Sequence, residues 1–222
     1  MSESRERAEF GEHAATLLAT EHWSLLASRS LGYTEAFNRV TVFLTVLSAS
    51  IVGLALVVNS QGFGEEFLWA ALLMGPMVLF LGVTTFIRLV EINLEDGLQL
   101  ISMNRLRHAY VEMAPELIPY LSTGWHDDEK GLYDSIMMGR AYVSRPALHF
   151  IVTTPTVIGV VTAFVAAAEI ALIMNHLFDS AALTTAVSAV TFLALSSLSI
   201  RSQLKAYAQF RAVEVRFPSP SK

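Results

Sequence analysis

Glu169 is the residue of this chain whose type and setting most favour chemistry. It ends a series, Pro155, Gly159, Thr162, Ala166 and Glu169, whose steps alternate between four and three residues. On a helix that spacing draws one stripe of small and polar side chains closed by a carboxylate. The stripe lies in an apolar run, residues 150–174. An acid at the centre of a membrane helix costs about 2.5–3.5 kcal/mol on insertion scales, and less toward the surface. Two roles fit Glu169: a cation or proton site facing a bundle interior, or an interfacial acid that reaches outer water or Asn175. Thr184, Ser188 and Thr191 on the last apolar run suit either a polar path or a packing seam. Glu65, Glu66 and Asp179 lie in turns without bases and would form a negative outer mouth that favours cation entry.

Other polar pairs carry weaker chemistry. Arg88 and Glu91, three residues apart at the inner end of the second apolar run, would bridge one another or hold a lipid headgroup, unless Arg88 only snorkels to the interface. His108 and Glu112, one turn apart, make either a pH-sensing pair or a plain helix-surface hydrogen bond. His126, Asp127, Asp128 and Glu129 are consecutive, and neighbours in sequence rarely converge on one ion, so a solvated turn is expected and no metal site. There is no Walker loop, G-x-S-x-G elbow, H-E-x-x-H or Rossmann glycine pattern, so no enzyme and no cofactor are expected. The absence of cysteine excludes disulfides and thiolate sites. No basic run is strong enough for nucleic acid.

The elements that must position these residues are apolar helices. Four runs, residues 40–58, 67–87, 150–174 and 181–200, each hold roughly the 20 residues that cross a hydrocarbon core. The chain is 53% hydrophobic, with a mean hydropathy of +0.49. All 15 Lys and Arg residues fall outside the runs, with Arg88 at the border, and none lies in the turns 59–66 and 175–180. The positive-inside rule then puts both termini and the central stretch in the cytoplasm. The expectation is an all-α integral membrane protein of four transmembrane helices arranged as two hairpins, multi-pass in the cell inner (plasma) membrane, with cytoplasmic amphipathic helices and no cleaved leader. Its divisions are a cytoplasmic arm 1–39, a first hairpin 40–91, a cytoplasmic helical region 92–147, a second hairpin 148–200 and a cytoplasmic tail 201–222.

Detail within these divisions follows from spacing. Phe10, Ala14, Leu17, Leu18, Trp23, Leu25 and Leu26 predict an amphipathic arm helix, with a break near Gly32. Leu98, Ile101, Leu106, Tyr110 and Met113 predict the apolar face of an inner helix, opposed by Glu95, Asn104, Arg105 and Arg107 and ended by Pro115 and Pro119. Residues 201–217 read as an extension of the fourth helix, with Pro218 and Pro220 marking a loose end. Small-residue stripes also mark the second run (Ala71, Gly75, Val78, Gly82, Thr85) and the first (Thr45, Ala49, Gly53), where helices would approach closely. Pro76 and Pro155 are candidate kinks. Asn59 and Asn175, with Ile87-Arg88 and Ile200-Arg201, hint at two hairpins of one design.

The segments Met103-Asn104-Arg105-Leu106-Arg107-His108-Ala109-Tyr110, Ala114-Pro115-Glu116-Leu117 and His126-Asp127-Asp128-Glu129 carry a resemblance. With the arm Glu21-His22-Trp23-Ser24-Leu25-Leu26, they resemble a family of bacterial four-crossing membrane proteins of uncharacterised activity, over the chain through the third crossing. The resemblance implies the topology and a bacterial inner membrane, and it carries over no functional residue. A looser likeness is to two-crossing pore-forming effectors of bacterial defence, which also flank their hairpins with cytoplasmic helices.

Two functions are expected. In the first, the chain self-associates into a cation-favouring ion channel whose path is lined by the third helix. In the second, it is a non-conducting scaffold or sensor that recruits a partner or lipid through its cytoplasmic helices. Its immediate partner in either case is the lipid bilayer.

Overall fold

The computed structural model describes residues 2–136, 153–178 and 180–220, with residues 2–12 and 211 as backbone alone. The described residues form helices and no strand: α1 (Ser2–Gln61), α2 (Glu65–Met113), a 3₁₀ turn (Pro115–Tyr120), α3 (Glu129–Ile136), α4 (Thr154–Leu177), α5 (Ala181–Ala208) and a second 3₁₀ turn (Gln209–Ala212). Helices α1, α2, α4 and α5 are long and apolar enough to cross a membrane, which makes the chain a multi-pass membrane protein by length and composition. At about 1.5 Å per residue, the 24 residues of α4 cover about 36 Å.

Two compact units share these helices: one of Glu35–Glu91 and Pro146–Ala206, the other of Met1–Thr34, Ile92–Arg145 and Tyr207–Lys222. In the first, the bundle unit, α2 turns its small-residue stripe inward and several of its large apolar residues outward. Ala71, Gly75, Val78, Gly82 and Thr85 of α2 are all buried, as the seven-residue pattern predicts, while Leu73, Met77 and Phe80 between them are exposed. That inversion of a soluble protein's pattern suits helices surrounded by lipid, where close packing rather than apolar burial holds them together. Phe43, Val78, Leu89 and Ile158 form the apolar centre. The first-run stripe is not part of it. Thr45 and Ala49 are exposed, because α1 turns the face bearing Phe43, Val46 and Leu47 inward instead.

Punctuation follows local chemistry. Gly62 ends α1 with a positive φ of 75°, its N–H donating to the Val58 carbonyl at 2.8 Å. The expected break near Gly32 is absent, since one glycine costs a helix only about 1 kcal/mol against alanine. α2 likewise passes through Pro76 without interruption. Pro155 stands in the first turn of α4, where its missing N–H would have had no helical partner, so it opens the helix rather than kinking it.

The second, or tail, unit departs furthest from expectation. α5 ends at Ala208, and after the second 3₁₀ turn the chain continues without helix. Asp127 captures this tail: its carboxylate accepts the N–H groups of Arg216 (3.0 Å) and Phe217 (2.7 Å) and the Arg105 Nε–H (2.8 Å). Asp128 accepts the Ser219 N–H at 2.7 Å and its hydroxyl at 3.0 Å, and also caps α3 through the Gly131 N–H at 2.8 Å. The Phe217 ring stacks on His108 with centroids 4.1 Å apart. The solvated turn and loose end are therefore one ordered contact. Asn104, expected on a polar face, is fully buried and makes four bonds. Its Nδ2 donates to the carbonyls of His126 and Gly131, and its Oδ1 accepts from Arg107 and Ser135, all between 2.7 and 3.0 Å. The apolar core of this unit is Leu100, Ile101 and Leu132 with Phe210 and Val213. Leu98 and Met113, expected there, are exposed, and so are Leu17, Trp23 and Leu26 of the arm.

Candidate functional site

The α4 stripe meets the α2 stripe in antiparallel register. A Cβ on Gly82 would collide with the side chains of Thr162 and Phe43, and a Cβ on Gly75 would collide with the Glu169 carboxylate. Seven residues up α2 are thus seven down α4. At both levels an opposing polar side chain occupies the space a methyl group would take; the branched Thr162 has little room to yield it, whereas the flexible end of Glu169 can shift. Pro155, Gly159 and Thr162 are buried, and Ala166 and Glu169 are half-buried. The stripe therefore faces neighbouring helices over most of its length. Thr162 satisfies its hydroxyl locally, donating to the Ile158 carbonyl at 2.8 Å.

Glu169 is different. Among the described residues, no hydrogen bond or ion pair is made to its carboxylate, and Gly75 provides the cleft that admits it. Helix α5 packs against the first turns of α4. A Cβ on Gly159 would lie 3.1 Å from Ser199 Cβ, and the Thr156 hydroxyl donates to Gln203 Oε1 at 3.2 Å. Continued along both helices, this register brings Glu169 level with Ser188 and Thr162 level with Ser196.

The hydroxyls of α5 divide into two groups. Thr191 and Ser199 donate to the carbonyls of Val187 and Leu195, each at 2.9 Å, which is the usual helical resolution. The hydroxyl oxygens of Thr184, Ser188 and Ser196 are buried and make no hydrogen bond. Buried hydroxyls without partners are uncommon and call for an explanation such as water or an ion. Below them, the buried Gln203 gathers Thr153 and Thr156 at its Oε1. Glu169, Ser188, Thr162, Ser196 and the Gln203 group thus form successive polar levels inside the bundle unit.

The remaining expected residues do not join this line. Glu65 and Glu66 are exposed in the first turn of α2, where the helix dipole favours acids. Asp179 lies outside the described residues. The Arg88–Glu91 pair forms at 3.2 Å, but the main partner is Glu35, which takes Arg88 Nε at 2.9 Å and Nη2 at 3.0 Å and also Arg39 Nε at 2.8 Å. With two carboxylates on its guanidinium, Arg88 is a helix-to-helix tie, and nothing here favours the headgroup role. His108 lies 3.5 Å from Glu112, while its Nδ1 faces the Trp125 carbonyl at 3.2 Å.

Sequence reading missed Ser196, Ser199 and Gln203. Their signal is present in the sequence: they continue the face of Thr184, Ser188 and Thr191 at helical steps toward the inner end of α5. No family model, no curated protein and no solved structure matches the chain. Fold and site define an all-helical protein with four helices able to span a membrane and an acid-bearing polar line among them.

Proposed function

We propose that the chain is a non-enzymatic, homo-oligomeric membrane protein that conducts cations. In this reading its helices form two hairpins in the inner membrane, and the termini and the stretch between the hairpins are cytoplasmic, as the distribution of Lys and Arg requires. The observation that carries the proposal is the Glu169 carboxylate, set against Gly75 with no hydrogen-bond or ion-pair partner among the described residues. By extension of the α4–α5 register the unbonded hydroxyl of Ser188 falls at the same level. A carboxylate without a protein partner inside a helix bundle is an attractive stop for a small cation, and the unbonded hydroxyls of α5 would offer further ligands. Thr162 and Gly82 close the α2 side of α4 tightly, so in this reading the path follows the third helix on its α5 side and self-association completes its walls. The base-free turns with Glu65, Glu66 and Asp179 would concentrate cations at its outer end.

The second reading, a non-conducting scaffold or sensor, is favoured by one observation: the α2 and α4 stripes mesh as a seam. The two are separated by reversal potentials across planar bilayers under a KCl gradient. A channel of the proposed kind gives a cation-selective potential that weakens in Glu169→Gln. A scaffold gives no conductance beyond that of the bare bilayer.

A further inference from the structure

Arg107 is half-buried, and among the described residues no acid answers its charge. Its Nη1 donates to Asn104 Oδ1 at 2.8 Å, and no carboxylate among the described residues pairs with it. Its neighbours in kind are all compensated: Arg29 by Asp96 at 2.6 Å, Arg88 by Glu35 at 2.9 Å and Arg105 by Asp127 at 2.8 Å. Asn104 is itself fixed by three further bonds, so the Arg107 fork is held in place with most of its five N–H donors unspent.

The surroundings bring a second polar group in need of a partner and no counter-charge. His22 stacks on Tyr110 with centroids 6.1 Å apart, and its Nδ1 is buried with no hydrogen-bond partner. Burial first, and then the Arg107 charge, hold His22 below its ordinary pKa, so the ring is neutral at pH 7. Burial and then the charge of Arg29 depress Arg107 in turn, which is the mark of a positive field lacking its counter-charge. These residues belong to the tail unit and lie outside the four apolar runs.

We propose that Arg107, His22 and Tyr110 form a binding site for a phosphate group, brought either by a small soluble phosphate compound or by a lipid headgroup. A phosphate supplies the missing negative charge, takes two bonds from the planar guanidinium, and gives the buried His22 nitrogen a partner. Arg29 adds attraction without a direct bond, because its own fork is spent on Asp96 and Tyr33.

The test uses the full chain purified in detergent and follows thermal unfolding and calorimetric binding. Pyrophosphate is titrated against KCl of matched ionic strength, and phosphatidic acid against phosphatidylcholine in a parallel series. Saturable stabilisation by pyrophosphate assigns the site to a soluble ligand, and by phosphatidic acid alone to a headgroup. Either response must weaken about tenfold in Arg107→Gln, which removes the charge-assisted bonds. It must also weaken in His22→Ala, a variant that leaves Asn104 untouched and carries the test if Arg107→Gln does not fold. Absence of a saturable response to both probes, or equal binding by the variants, overturns the site.

Discussion

At Gly75 a hydrogen stands where a side chain would expel the Glu169 carboxylate from the bundle. Gly82→Ala, whose methyl would meet the stiff, branched Thr162 side chain, is expected to destabilise the protein by about 1–3 kcal/mol, the usual cost of overpacking, measured by unfolding in detergent. At Gly75 the flexible carboxylate end can swing aside at lower cost. Gly53→Ala is the control: its new methyl meets only the flexible end of Met74, at 3.3 Å, and is expected to cost under about 1 kcal/mol. Asn104 offers the complementary test in the tail unit. Asn104→Leu strands the Arg107 and Ser135 donors and two backbone carbonyls, and should cost at least about 3 kcal/mol. Asn104→Asp keeps the acceptor but cannot donate to His126 and Gly131, so it should fall between. Equal stability of all three forms would show that this network contributes nothing. Residue spacing made the Glu169 stripe and its α2 counterpart legible, because a membrane helix packs by small residues at fixed steps. It could not reveal Asn104. A buried amide looks polar in sequence, and only its step of four from buried Leu100 hinted that it faces inward.

Between elements, the tail contact shows where periodicity stops being informative. The composition after Ala208 still permits helix, but the chain leaves it and its residues 216–219 dock instead on the distant Asp127 and Asp128. For both carboxyls burial alone would raise the pKa. The Arg216 N–H and the Arg105 guanidinium outweigh it at Asp127, and the Gly131 and Ser219 N–H groups outweigh it at Asp128, so both fall below the ordinary range. A depressed folded pKa stabilises above the unfolded value, about 3.9 for Asp, and its contribution is lost as pH falls through the lower folded value. The amide signals of Arg216, Phe217 and Ser219 should thus hold steady from neutral pH to about 4 by NMR and move to free-peptide positions only below that. Release near neutral pH would contradict the role given to the two acids. Asp127→Asn, which removes the charge, should loosen the same amides at pH 7.

Taken whole, the molecule wears its large apolar residues outside: Leu73, Phe80, Phe164, Val190 and Leu198 are each more than 60% exposed. Lipid or further copies of the chain must cover them. The number of helices able to cross a membrane was plain in the sequence, because about 20 apolar residues without charge leave few other folds. The division into two units was also foreshadowed by where the charges fall, but the partners that stabilise each unit were not. Self-association predicts that crosslinking in native membranes yields defined oligomers, and a ladder that vanishes on dilution with lipid would oppose it. The central claim, a cation path past Glu169, is tested most directly by cation flux from liposomes carrying equal amounts of the intact chain, Glu169→Gln and Glu169→Ala. The account predicts cation-selective flux from the intact chain that both substitutions change, with all three proteins equally folded. Flux that is the same in all three would remove Glu169 from the path, and no flux from the intact chain across a range of voltage and pH would contradict conduction itself.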